Sequence, residues 1–292
     1  MIGRNRMPQQ QSALQSSNLY AQSVNAPPAH GISHQFCILV AASDRAKDIF
    51  EITFQNADTI WRDVDWRRYV GFTTKHPDIL GFKSLSAKSD VEWRGRVGDY
   101  LDSLPDEIRY VMLIVEDYLF TSPIDGMELN AVAEQIYRND LAYVRLVPVH
   151  RNFLGGVFEY FRRTTTKQPL RTLASWEPYY SSVEPAIWKR DYLRALLLQS
   201  GTVWEFEHIV STEPHYAVWR PVVRYVGIVG REKWHREAPR LLEQQGSSLG
   251  NSTRARQTVK FELRRLREKI SFTMFGYLSF RIRRAFNRVP RT

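Results

Sequence analysis

The 292-residue chain is short of several things, and each shortage narrows what it can be. It has one cysteine, Cys37, set in the apolar run Phe36-Cys37-Ile38-Leu39-Val40. One thiol excludes an internal disulfide framework and predicts a reducing compartment. Its apolar neighbours argue against a nucleophile, which needs a stabilised thiolate. No apolar run approaches the roughly 20 residues of a membrane-spanning helix. The first residues lack the apolar core of a secretory signal, which predicts a cytoplasmic protein. Among the histidines, His150, His208, His215 and His235 are scattered without ligand spacing, and no chemistry is assigned to them. There is no internal repeat.

Charge is abundant but uneven. The net charge is +10. Residues 254–292 carry 12 Lys/Arg against Glu262 and Glu268, which accounts for that whole excess; the totals of 41 and 31 leave 29 of each sign in residues 1–253. The body is neutral and the tail basic, so no positive field lies across a folded domain and nucleic acid is an unlikely partner. In the tail, Phe261, Leu263, Leu266, Ile270 and further aromatic residues interleave with the cations. A basic amphipathic helix of this kind predicts attachment to an anionic membrane surface.

Residues 1–34 are rich in Gln, Ser, Asn, Ala and Pro and read as disordered. Residues 35–245 read as one domain, 246–253 as a polar linker and 254–292 as the tail. Strands are expected at 36–42, 69–73, 110–115, 143–147 and 225–229. Helices are expected at 45–61, 89–104, 126–139, 185–199 (with Pro185 in its first turn) and within 230–244. Residues 150–180 read as loops and short strands. Strand and helix alternate through the first half, which predicts an α/β fold with a mostly parallel central sheet.

The sharpest feature is Tyr110-Val111-Met112-Leu113-Ile114-Val115 running into Glu116-Asp117. A continuous apolar run predicts a strand buried on both faces. Ionised acids are costly inside it, so they belong at its end, where open α/β sheets bind ligands. Hard oxygen ligands there suit Mg²⁺ or Mn²⁺ together with substrate phosphates. The plainer reading is a strand end with solvated acids.

The order of several segments resembles a known family. Ser43-Asp44 ends the first strand. Trp93, Arg94 and Arg96 lie on a helix before the Tyr-Val-Met-Leu strand, and Glu116-Asp117-Tyr118-Leu119-Phe120 follows. Then come Tyr179 to Trp188, Val203-Trp204-Glu205-Phe206-Glu207, and Gly-Ile-Val-Gly-Arg-Glu-Lys-Trp at 227–234. The series resembles bacterial GT-A-type glycosyltransferases of surface polysaccharide (capsule, lipopolysaccharide) synthesis, over roughly residues 36–245.

The resemblance implies a Rossmann-like GT-A domain, a nucleotide-sugar donor, and a glycan or lipid-linked acceptor reached from the inner face of a membrane. It also implies a divalent cation at Glu116 and Asp117, although adjacent acids depart from the usual Asp-x-Asp. Arg94 and Arg96 would face the donor diphosphate; otherwise they form a solvated helix face. Asp44 would bind the base or ribose; otherwise it caps a helix. Glu207, with Glu205 second, is the expected general base. In an extended segment both would face the cleft, and in a helix only one. Glu184, Tyr180, Trp188 and Trp204 would meet the acceptor; the aromatic residues could equally pack a core. The competing reading is a catalytically silent α/β binding or scaffold protein with a membrane- or nucleic-acid-binding tail.

Overall fold

The computed structural model describes residues 31–88, 92–148, 170–174, 177, 180–199, 202–207, 209, 211–250 and 252–271. Residues 1–30, most of 149–179 and 272–292, on which several expectations fall, lie outside the described residues. In chain order the elements are β1 (Phe36–Ala41), α1 (Lys47–Phe54), α2 (Ala57–Ile60), β2 (Arg67–Phe72), β3 (Lys83–Ser86), α3 (Trp93–Asp102), β4 (Tyr110–Val115), β5 (Tyr118–Phe120), α4 (Gly126–Asn139) and β6 (Tyr143–Arg145). They continue with β7 (Leu170–Thr172), β8 (Ala186–Lys189), α5 (Arg190–Leu197), α6 (Val203–Phe206), β9 (Tyr216–Val218), β10 (Tyr225–Gly227), β11 (Val229–Gly230), β12 (Lys233–Trp234), α7 (Ala238–Glu243) and α8 (Val259–Ser271).

Eight strands form one mixed sheet in the order β3-β2-β1-β4-β8-β6-β9-β7. β3, β2, β1 and β4 run parallel, and β8 is antiparallel to both β4 and β6. This is the expected α/β class. β1 is apolar throughout because both its faces are covered. Phe36, Ile38 and Val40 enter one core layer with Phe50 and Phe54 of α1 and Leu129 and Ile136 of α4. Cys37, Leu39 and Ala41 enter the other with Val97 and Leu101 of α3 and Leu193 and Leu196 of α5. Desolvation drives the Cys37 thiol far above its ordinary pKa, so it is inert.

This layering creates the cleft. The crossover from β1 carries α1 to one face, and the crossover into β4 carries α3 to the other. β1 and β4 are neighbours from which the chain departs in opposite directions along the sheet, β1 towards β2 and β4 towards β6, and this reversal of strand order makes their carboxyl ends a topological switch point. The acid pair follows β4 directly and Asp44 lies just after β1.

Three expected helices differ from the structure. The stretch 45–61 is a short 3-10 turn followed by α1 and α2. α3 begins at Trp93, and Ser89 and Asp90, expected to open it, lie outside the described residues. The stretch 185–199 divides: Ala186–Lys189 is strand β8 and the helix starts at Arg190. Ile187 and Trp188 point into opposite core layers, a two-residue period that pairing with β4 and β6 imposes over the local helical spacing.

At the boundary between the domain and the segment expected as a linker, Gln245 and Ser247 hydrogen-bond to the body. Asn56 Nδ2 donates to the Gln245 carbonyl (2.7 Å) and to Ser247 Oγ (2.8 Å), and Gln245 Nε2 donates to the Phe120 carbonyl at 2.6 Å.

Candidate functional site

β4 stops at Val115, so its apolar run is in the sheet and Glu116 and Asp117 sit on the turn into β5. Both are half-buried and line a cavity of about 280 Å³ with Ser43, Arg45, Ile49, Arg231, Glu232 and Arg254. Burial, then the charge of Asp117, pushes Glu116 up to about 7; burial alone pushes Asp117 up to about 6. Two neighbouring carboxylates that resist ionisation are a donor set that a cation would relieve. The pair therefore fits a hard divalent ion such as Mg²⁺ or Mn²⁺. Among the described residues no group of three or more His, Cys, Asp or Glu converges on one point. Such an ion would complete its shell with water and phosphate oxygens.

Asp44 caps no helix by its side chain. It accepts from the Thr74 backbone N–H (3.1 Å to Oδ2) and meets His76 Nε2 at 3.0 Å. Burial raises its pKa, but the Thr74 and His76 hydrogen bonds outweigh that and hold it below the usual carboxylate value. Asp44 is thus an ionised acceptor at the end of β1. On α3, Arg96 is half-buried and its charge acts on Glu116. Arg94 is exposed, and its Nε lies 3.9 Å from Glu92.

The antiparallel β8 brings a second group to the same rim. Leu113 of β4 and Arg145 of β6 both register with Ala186, so Glu184 stands beside the end of β4. Arg145 is 2% exposed, and its Nη1 lies 3.3 Å from Glu184 Oε2. Tyr225 of β10 interacts with Glu184 and Tyr118, and the Tyr118 and Tyr225 rings are 4.3 Å apart. Tyr118 feels the charges of Asp117, Glu184 and Glu207, so these carboxylates share one neighbourhood.

Residues 203–206 are helical, so Glu205 and Glu207 diverge. Glu205 closes a capping box with Thr202, accepting its backbone N–H at 2.7 Å. Glu207 is buried at the end of α6, with Oε1 3.4 Å from the Val183 N–H and 3.5 Å from Ser182 Oγ. Burial, reinforced by Glu184 and opposed by the Val183 N–H and Arg145, pushes it up to about 7.

The aromatic candidates separate. Trp204 is 72% exposed. Trp188 is 0% exposed within β8 and has no surface to offer an acceptor. Tyr180 is buried too: its hydroxyl donates to the Glu213 carbonyl at 2.9 Å, and its ring stacks on His215 at 4.2 Å. Desolvation lowers His215 to about 4, so that histidine is a neutral core group.

The sequence alone assigns no role to Arg145, Arg254, Arg231 or Tyr225. Arg145 carried a signal: a lone cation inside an apolar strand has to be buried and paired. Arg254 carried none, because it was counted with the tail and its partner Asp48 is 206 residues away.

No family model matches the chain and no curated protein matches it. Among solved structures it is similar to S. aureus TarS 1-349 (12% identity, TM-score 0.40, covering 65% of this chain and 59% of that one). It is similar to the mannosyltransferase PcManGT from Pyrobaculum calidifontis in complex with GDP-Man and Mn2+ (12%, 0.42, 76% and 65%). It is also similar to a cytidylyltransferase from Leptospira borgpetersenii (13%, 0.36, 61% and 69%). The chain spans 59% of the TarS fragment's length. The overlap is partial in each case and carries no residue roles across.

Proposed function

We propose that this chain is a glycosyltransferase moving a sugar from a nucleotide-sugar donor to a glycan or lipid-linked acceptor in surface polysaccharide synthesis. The observation that carries the reading is the half-buried Glu116–Asp117 pair at the β1/β4 switch point, in a cavity that also holds arginines. Such a site binds a divalent cation with a diphosphate. When bound, the cation would stabilise the negative charge of a departing diphosphate.

The chain's own residues supply the rest. Asp44, ionised and fixed by Thr74 and His76, is placed to accept hydrogen bonds from a ribose or base. Arg96 adds positive charge beside Glu116. Glu207 is the group to take the acceptor hydroxyl's proton, because a carboxyl near pH 7 is both deprotonated in part and basic enough. Glu205 is engaged in its cap and drops out of that role. Glu184, held by Arg145, and the exposed Trp204 are the acceptor-side groups, the first a hydroxyl acceptor and the second a ring platform.

Among the described residues no helix is long and apolar enough to cross a membrane. On α8, Val259 and Leu263 are one turn apart and exposed (52% and 61%), alongside exposed Lys260, Arg264 and Arg267. An exposed apolar pair on a basic helix supports docking to an anionic membrane face, where lipid-linked acceptors reside.

The test is a screen of nucleotide-sugar hydrolysis with Mn²⁺ or Mg²⁺. Wild type should consume one donor, and Asp117→Ala should lose at least about 100-fold in turnover, the scale of losing transition-state charge stabilisation. Full turnover in Asp117→Ala would remove the metal role. A silent binding protein would hydrolyse none.

A further inference from the structure

The cavity beside the acid pair is walled by a C-terminal strap. Trp234 N–H donates to the Ala255 carbonyl (3.0 Å), Gln257 N–H to the Trp234 carbonyl (2.8 Å), and Gln257 Nε2 to the Gly230 carbonyl (2.8 Å). Residues 255–257 thus run along the β11–β12 hairpin. Just before them, Arg254 grips Asp48 of α1 with Nε (2.8 Å to Oδ2) and Nη2 (2.8 Å to Oδ1), and Nη2 also meets the Arg45 carbonyl. A guanidinium has two edges. These bonds engage the Nε–Nη2 edge and the second N–H of Nη2, and Nη1 makes no hydrogen bond among the described residues. Arg254 lines the cavity, and its charge acts on Glu116.

The hairpin turn opposite is unusual. Its two central residues, Arg231 and Glu232, have φ of +50° and +62°. A two-residue turn with both φ positive ordinarily takes Asn-Gly, and other side chains there cost about 1–3 kcal/mol each. The turn nevertheless carries an arginine, which lines the same cavity and lies 5.3 Å from the ring centroid of Phe261 on α8. Strain kept at a cavity wall points to a use for the side chain. The cavity's full charge set is Glu116, Asp117 and Glu232 against Arg45, Arg231 and Arg254. These balance, so adding one divalent cation leaves a double positive charge, which matches a bound diphosphate.

We propose that Arg254, anchored by Asp48, and Arg231, held by the left-handed turn and Phe261, form a two-arginine clamp on the diphosphate of the ligand, so that the C-terminal strap is part of the donor site. This rests on the reading of the acid-pair cavity as a cation–diphosphate site. Both arginines are positioned from outside the sheet, one by α1 and one by α8, so the clamp exists only when the strap is docked.

The test uses the full chain, Mn²⁺ and inorganic pyrophosphate, with binding followed by calorimetry. Wild type should bind pyrophosphate in the presence of Mn²⁺. Arg254→Gln should weaken that binding by roughly tenfold or more, the scale of one charge-assisted bond. It should leave affinity for Mn²⁺ alone unchanged or tighter, since a cation near the acids is gone. Asp48→Asn should weaken pyrophosphate binding less, because the guanidinium stays and only its anchor is lost. Arg231→Asn separates clamp from scaffold: asparagine tolerates positive φ, so the melting temperature should rise while pyrophosphate affinity falls. Unchanged pyrophosphate binding in the Arg254 and Arg231 variants overturns the clamp alone. Joint loss of Mn²⁺ and pyrophosphate binding in Arg254→Gln makes the residue a brace and overturns it as well. A wild type that binds no pyrophosphate with Mn²⁺ removes the diphosphate reading itself.

Discussion

Glu207 shows how a single side chain trades stability for chemistry. Its folded pKa is raised from 4.5 to about 7, so the folded chain holds this proton more tightly than the unfolded one. The carboxyl's contribution to stability is complete below pH 4.5 and is lost as pH rises through about 7. Glu207→Gln keeps an acceptor for the Val183 N–H and carries no charge. It should therefore stabilise the chain by roughly 2–3 kcal/mol at pH 8, read by denaturant melts, and change it little at pH 4. The same variant should lose about 100-fold or more in turnover, and wild-type turnover should rise with pH through about 7. A variant less stable at pH 8 than wild type would show that the carboxylate is a structural acceptor and not a strained base. Glu207, Asp44 and the acid pair were legible because each interrupts or follows an apolar segment. The partners Thr74 and Val183, which set their protonation, were not: they lie 30 and 24 residues from Asp44 and Glu207 and reach them through tertiary contacts that no local pattern encodes.

At the scale of elements, the readable ones carry their own start and stop signals. α4 runs over the 126–139 that the sequence implied, because Asp125 Oδ1 accepts from Met127 N–H (2.9 Å) and Glu128 N–H (3.1 Å) and fixes its start. Its first residue has a second constraint. A Cβ on Gly126 would lie 1.8 Å from the Asp63 carbonyl oxygen. Gly126→Ala should therefore destabilise the chain by about 2–3 kcal/mol in urea unfolding, although alanine is the better helix former. A neutral or stabilising result would mean that the Asp63 loop yields freely. β8 was illegible for the opposite reason. Ile187, Trp188, Tyr192 and Leu196 fit a helical period, and only burial between β4 and β6 selects the strand for the first two.

For the whole molecule, the charge asymmetry read from composition has a structural address. The neutral body holds the cleft, and the basic segment begins as the strap along the cavity wall and continues as α8. Deleting residues 272–292 should lower co-flotation with anionic vesicles, since about 1 kcal/mol is lost for each cation removed from the surface. Pyrophosphate binding with Mn²⁺ should persist, because the strap and α8 remain. Undiminished flotation would place the membrane contact elsewhere. The strap also sets a timetable for synthesis. Asp48 leaves the ribosome early and its partner Arg254 only 206 residues later, so the sheet can be assembled while the cavity still lacks a wall. A nascent chain would acquire its central strands well before it could capture a ligand, and ligand capture would report that translation had passed the strap.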